Sequence, residues 1–161
     1  MNYNDLLYSA IQISVIAGRH IAQVYQHPVA IEYKNDNTPV TIADKEANEI
    51  IEKALSIHSI PVLGEEGIHH PYGERKNWDL LWIVDPLDGT KEFINRTGEF
   101  TVNIALAEKG EPVIGVIFSP IYKDLYFASK ELGSYKMNRH VFIEQENKFS
   151  SLSLEELIKL S

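Results

Sequence analysis

Apolar residues recur at three- and four-residue spacing over 4–26, through Leu6, Leu7, Ala10, Ile11, Val15, Ile21, Ala22 and Tyr25. That period predicts an amphipathic helix, which Asn4 or Asp5 can cap and which ends before Pro28. A short β-like stretch follows at 29–33. The run KNDNTPV at 34–40 is polar and turn-rich and reads as a loop. Helical spacing returns at Ala47, Ile50, Ile51, Ala54 and Leu55. Thr41, with Asp44 three residues on, has the form of a capping box in which Asp replaces the usual Glu. Residues 61–63 predict a brief buried strand that runs into GEEG at 64–67. A polar loop, IHHPYGERKN, follows. Residues 78–84 form a strongly apolar strand leading straight into DPLDGT at 85–90.

The second half changes character. Residues 100–107, 113–119 and 125–128 are rich in Val, Ile and Phe, with a hairpin signal at Lys109-Gly110-Glu111-Pro112. The pattern predicts an antiparallel meander with a further strand at 134–137. From Glu144 the chain turns polar, and Ser153 with Glu156 predicts a capped last helix. Helices first and strands after give an α+β or layered α/β class.

Composition narrows the function classes. With 161 residues, 44% hydrophobic and 24% charged, the chain fits one globular domain rather than a disordered segment. No apolar run approaches the ~20 residues that span a bilayer. The balance of 15 Lys+Arg against 23 Asp+Glu, net −8, repels a phosphate backbone and argues against nucleic acid as a partner. There is no cysteine, which excludes disulfides, thiolate metal sites and a thiol nucleophile. The start, Met-Asn-Tyr-Asn-Asp, has no basic n-region, so a cytoplasmic setting is the default expectation.

Four carboxylates stand out by position. Glu65 and Glu66 follow one apolar strand, and Asp85 and Asp88 follow another. Carboxylates at strand ends face the crevice where parallel or mixed sheets bind ligands. The Asp85–Asp88 spacing, with a Pro and a Gly enforcing a turn, can set both side chains and the Leu87 carbonyl to one side. This is the oxygen set that hard cations such as Mg²⁺ take. Gly89 and Thr90 then open a short helix whose free N–H groups suit a phosphate. Each signal has a plainer alternative. Asp88 and Asp44 can be helix caps, Glu65-Glu66 a solvated turn, and Lys34 with its loop either a cover for the site or an ordinary surface turn. His69-His70 lies in a polar loop and reads as solvent-exposed.

The stretch WIVDPLDGTKEFI at 82–94 resembles the signature of the inositol monophosphatase superfamily of metal-dependent phosphatases. GEEG is similar to the upstream segment carrying a metal-binding Glu, and PVTIAD at 39–44 to the N-terminal active-site motif. KEFI and GEFTVNIAL, at 98–106, resemble the CysQ-type branch, the 3′(2′),5′-bisphosphate nucleotidases. The resemblance runs over residues 4–136. It implies a layered α/β sugar-phosphatase-like fold, here an N-terminal half with two helices and a mostly antiparallel sheet. It implies metal ligands at Glu65, Asp85, Asp88 and the Leu87 carbonyl, for two or more Mg²⁺ in the intact enzyme. Asp44, Thr90 and Glu65 form the implied catalytic set, with Asp44 and Thr90 orienting and activating the attacking water. Leu87, Asp88, Gly89 and Thr90 are the implied substrate contacts, and Glu66 supports the metals.

The implied reaction is removal of the 3′-phosphate of 3′-phosphoadenosine 5′-phosphate; the alternatives are inositol monophosphate or another sugar phosphate, or a non-catalytic metal-binding fragment. The superfamily's later Trp-Asp motif has no counterpart, since Trp78-Asp79 precedes the metal strand. Residues 1–137 are therefore expected to be an N-terminal domain, and 138–161 a divergent or truncated tail. The expected partners are a small phosphorylated nucleotide or sugar, with self-association through uncovered apolar surface. CysQ-type relatives are in some cases peripheral at the inner membrane; no residue here supplies an anchor.

Overall fold

A computed structural model describes residues 2–34, 36, 38–67 and 70–161. The first helix, α1, spans Tyr3–Val24, and its start is capped by Asn2, whose side chain accepts from the Asn4 N–H at 3.0 Å. The cap thus lies two residues before Asn4, because Asn2 is the last residue in extended conformation. The hairpin β1 (Ile31–Tyr33) and β2 (Pro39–Thr41) is antiparallel, so the stretch read as loop through Val40 ends in a strand. Helix α2, Ile42–Leu55, begins at the predicted capping box of Thr41 and Asp44. Next come β3 (Val62–Gly64), a one-turn α3 (Tyr72–Arg75) inside the polar loop, and β4 (Leu80–Asp88). The five-residue α4 (Thr90–Ile94) leads into the meander β5 (Thr101–Glu108), β6 (Glu111–Ser119), β7 (Asp124–Ser129) and β8 (Gly133–Met137). Short helices α5 (Arg139–Gln145) and α6 (Leu154–Lys159) end the chain, α6 on the predicted Ser153/Glu156 box.

Strands β3 to β8 form one six-stranded sheet in sequence order, antiparallel except for the β3–β4 pair. The β5–β6 turn is Lys109-Gly110, both at positive φ, which matches the right-handed twist of the strands it joins. Alternation along the strands sends Trp82, Val84, Val102, Ile104, Val116, Phe118 and Phe127 to one face, where all are buried. Helices α1 and α2 cover that face. Gly18 lets α1 approach β6, because a Cβ there would lie 2.5 Å from the Phe118 ring. Phe142 of α5 packs between Phe118 and Phe149, with ring centroids 5.1 and 5.0 Å away, so residues 138–161 share this same core. Among the described residues no helix is long and apolar enough to cross a membrane.

Candidate active site

The β3–β4 pair is the sheet's parallel pair, and both strands run towards the same end. Glu65 follows β3 directly, and its N–H donates to the Val84 carbonyl at 3.1 Å, continuing the ladder. Asp85 and Asp88 lie at the end of β4. There the register shifts: Asp85 pairs with Asn103, but Asp88 pairs with Thr101, so β4 carries one extra residue. In a regular strand, residues three apart point to opposite faces. The bulge around Pro86 and Leu87 brings the two carboxylates to one side, at a point where Pro costs no ladder donor.

Asp44 joins them from the first turn of α2. It is 2% exposed and accepts three hydrogen bonds: from the Thr41 N–H at 2.8 Å, the Thr41 hydroxyl at 2.6 Å and the Thr90 hydroxyl at 2.9 Å. The capping bonds from Thr41 use Oδ2 and the bond from Thr90 uses Oδ1, so the cap leaves Oδ1 to Thr90. Thr90 Oγ1 is also 3.3 Å from the Leu87 carbonyl oxygen. Gly89, at φ 101°, makes the turn between Asp88 and α4. Asp88 Oδ2 accepts from the Asn103 side-chain amide at 3.0 Å, and Asn103 in turn accepts from Thr101 at 3.0 Å. The motif reading missed Asn103, which the register of β5 against β4 sets opposite Asp85.

Lys34 reaches the acidic group from the hairpin. Its Nζ donates to Glu65 Oε1 at 3.0 Å and pairs with Glu66. Burial pulls this ammonium down, but the hydrogen bonds and charges of Glu66 and Glu65 outweigh it and hold its pKa above the ordinary lysine value. Asp85 is the opposite case. Burial first, then the charges of Glu65, Asp88 and Asp44, push its carboxyl up to about 7 against the single opposing bond from the Leu87 N–H. Among the described residues no three carboxylate or imidazole groups stand close enough together to hold one ion as the side chains lie. Each is drawn to its own partner: Glu65 and Glu66 to Lys34, Asp88 to Asn103, Asp44 to Thr41 and Thr90.

The carboxylates border a cavity of about 230 Å³ walled by Thr38, Pro39, Glu65, Asp85, Asp88 and Thr90 among others. This is below the ~300–1,000 Å³ of sites that enclose a drug-sized ligand, and suits a phosphoryl group with cations. A larger cavity, about 400 Å³, lies where α1 starts beside Leu152, and its only carboxylate is Asp5. His70 is not part of the site: it packs edge-on against Trp78, ring centroids 5.0 Å apart, near Glu74. His69 lies outside the described residues.

The model of the inositol monophosphatase family matches residues 2–161. The chain is 44% identical over 133 residues to the 3′(2′),5′-bisphosphate nucleotidase CysQ of Haemophilus influenzae, covering 81% of this chain and 49% of that relative. It is 48% identical over 130 residues to the protein of the same name from Salmonella typhimurium, covering 78% and 52%. The crystal structure of CysQ from Bacteroides thetaiotaomicron superposes with a TM-score of 0.83 at 44% identity, over 99% of this chain and 57% of that one. The chain thus spans about half the length of the curated relatives it matches.

Proposed function

The chain belongs to the inositol monophosphatase family, and from that membership we propose that it carries the catalytic half-site of a Mg²⁺-dependent 3′(2′),5′-bisphosphate nucleotidase. The observation that carries the reading is the Asp44–Thr90 hydrogen bond beside Glu65, Asp85 and Asp88 at one end of β3 and β4. The likeness to CysQ relatives supports 3′-phosphoadenosine 5′-phosphate as substrate, with inositol monophosphate or another sugar phosphate as the competing choice.

The donor set fits a hard cation: three carboxylates and the Leu87 carbonyl, with Asp85 held near 7 by burial first and then by negative neighbours that a cation would offset. Glu65, Asp85, Asp88 and Leu87 O would hold two or more ions, with Glu66 alongside. Bound there, the ions would supply activation of water and neutralisation of phosphate charge. The chain's own groups do the rest. As Thr90 Oγ1 takes a proton from the attacking water, the Thr90 hydroxyl proton passes along its hydrogen bond to Asp44 Oδ1, so the Asp44–Thr90 pair holds the proton the water gives up. Glu65 lines the same cavity as Thr90. Gly89 and Thr90 both line the cavity at the start of α4, so the phosphate would be met there by their N–H groups. The water oxygen bonds to phosphorus as the bond to the 3′-oxygen breaks; that oxygen takes a proton from solvent to leave as a hydroxyl, and the proton held by the Asp44–Thr90 pair returns to solvent.

The competing reading is a metal-binding unit without turnover: among the described residues no three carboxylate or imidazole groups converge on one point as the side chains lie. We also propose that the chain associates with itself through the sheet face opposite the helices. The deciding assay is Mg²⁺-dependent phosphate release from 3′-phosphoadenosine 5′-phosphate, beside inositol monophosphate and an Asp85→Asn control. Release from the nucleotide, lost on removing Mg²⁺ and lowered at least 100-fold by Asp85→Asn, is expected. No release, or equal release by the variant, sinks the catalytic reading.

A further inference from the structure

Lys34 is the residue that follows β1, and its N–H closes the hairpin turn on the Thr38 carbonyl at 2.9 Å. Its side chain leaves the hairpin and ends on Glu65 and Glu66. The Lys34 side chain is 26% exposed and that of Glu66 13%, so the pair is largely withdrawn from solvent. No other described lysine or arginine forms an ion pair with Glu65, Glu66, Asp85 or Asp88. The ammonium therefore neutralises one side of the acidic group and leaves Asp85 without a counter-charge.

We propose that Lys34 is a built-in competitor for the metal site: its ammonium occupies Glu65 and Glu66 when no ion is bound, and a divalent cation at Glu65 displaces it. This rests on Glu65 being a metal ligand, as read above. The physical ground is simple. Ammonium and cation seek the same carboxylate lone pairs, and two positive charges a few ångströms apart repel. Because Lys34 is anchored in the β1–β2 turn, and Thr38 and Pro39 of the same hairpin wall the cavity, displacement is transmitted to the segment that borders the site. Ion occupancy is thereby reported at the cavity's own rim.

The test reads Lys34 itself rather than turnover. Acylation of the Lys34 amine, followed by mass spectrometry with and without saturating Mg²⁺, is expected to speed up several-fold when the ion binds, and to stay constant in Asp85→Asn. Calorimetric Mg²⁺ affinity supplies the second arm. Lys34→Met is expected to bind roughly tenfold more tightly than the natural chain, and Lys34→Arg within about twofold of it. Unchanged or slower labelling under saturating Mg²⁺ would overturn the proposal. So would weaker binding by Lys34→Met, which would make Lys34 a support of the site. Failure of the underlying reading looks different: Asp85→Asn would bind Mg²⁺ as well as the natural chain, or no form would bind it, and the proposal would fall with it.

Discussion

Asp85 is the residue on which the site's charge balance turns. Its carboxyl is raised to about 7, by burial and then by Glu65, Asp88 and Asp44, from about 3.9 in an unfolded chain. A raised carboxyl holds its proton more tightly in the folded state. Its contribution to stability is then fully present below about pH 3.9 and is lost as pH climbs through about 7. The metal-free natural chain is therefore expected to melt at a lower temperature at pH 8 than at pH 5.5, relative to Asp85→Asn. The comparison with the variant cancels the titration of groups that do not couple to Asp85. Mg²⁺ needs the carboxylate, so its affinity should rise with pH over the same window and level off above it. Thermal melts at both pH values, with and without Mg²⁺, check both halves; parallel pH dependence in the two proteins would assign the frustration to another group. Asp44 is buried deeper than Asp85 and accepts three hydrogen bonds, from the Thr41 N–H and the Thr41 and Thr90 hydroxyls.

At the scale of elements, the site is held by a bulge and a tight turn rather than by a regular strand or helix. Gly89 sits at φ 101°, and a Cβ there would meet the Glu99 carbonyl oxygen at 2.9 Å and Phe100 Cα at 3.2 Å. Gly89→Ala is therefore expected to cost about 1–3 kcal/mol in urea unfolding and to displace Thr90 from Asp44, lowering activity beyond the loss of folded protein. A variant with natural stability would show that the turn can relax. These features separate what was legible in the chain from what was not. The Thr41/Asp44 and Ser153/Glu156 boxes, the 109–112 hairpin and the apolar alternation of β5 to β7 are local signals, and each appears where its residues predicted it. The carboxylates could be named from their motifs. Their partners could not be paired with them: Asn103 reaches Asp88 only through the register of a neighbouring strand, and Lys34, named as a cover or a plain surface turn, reaches Glu65 across 31 positions. The strand β2 was hidden because Pro39 reads as a breaker, although at the start of an edge strand Pro is tolerated. One-turn α3, within a run of polar residues, has no periodicity to betray it.

At the scale of the molecule, the sheet has two unlike faces. The face under α1 and α2 is buried. On the other, the ladder sets Ile83, Ala105, Gly115, Ala128 and Ser134 in one row across five strands, and Asp85, Asn103, Ile117, Tyr126 and Lys136 in the next. Ile83, Ile117 and Tyr126 are 45%, 46% and 41% exposed, and a Cβ built on Gly115 meets nothing within 4 Å. Large apolar groups thus flank a shallow trough of small ones. A contiguous surface of this kind favours burial against another polypeptide. The sheet's edges are poorer candidates for association. Strand β3 is three residues long, and β8 carries Lys136, which pairs with Asp124 and lies over the Tyr126 ring. Self-association is therefore expected through the face, by a second copy of the chain. Sedimentation velocity should resolve dimers or larger species at micromolar concentration, and Ile83→Ser with Ile117→Ser should shift them to monomer. Both side chains are substantially exposed, so the double variant should keep its helical and strand content by circular dichroism. An unchanged size distribution in that folded variant would exclude the face as the contact. The outcome bears on the site as well, because Asp85 and Asn103 lie in the same row as Ile117 and Tyr126, and whatever packs on that row borders the carboxylates.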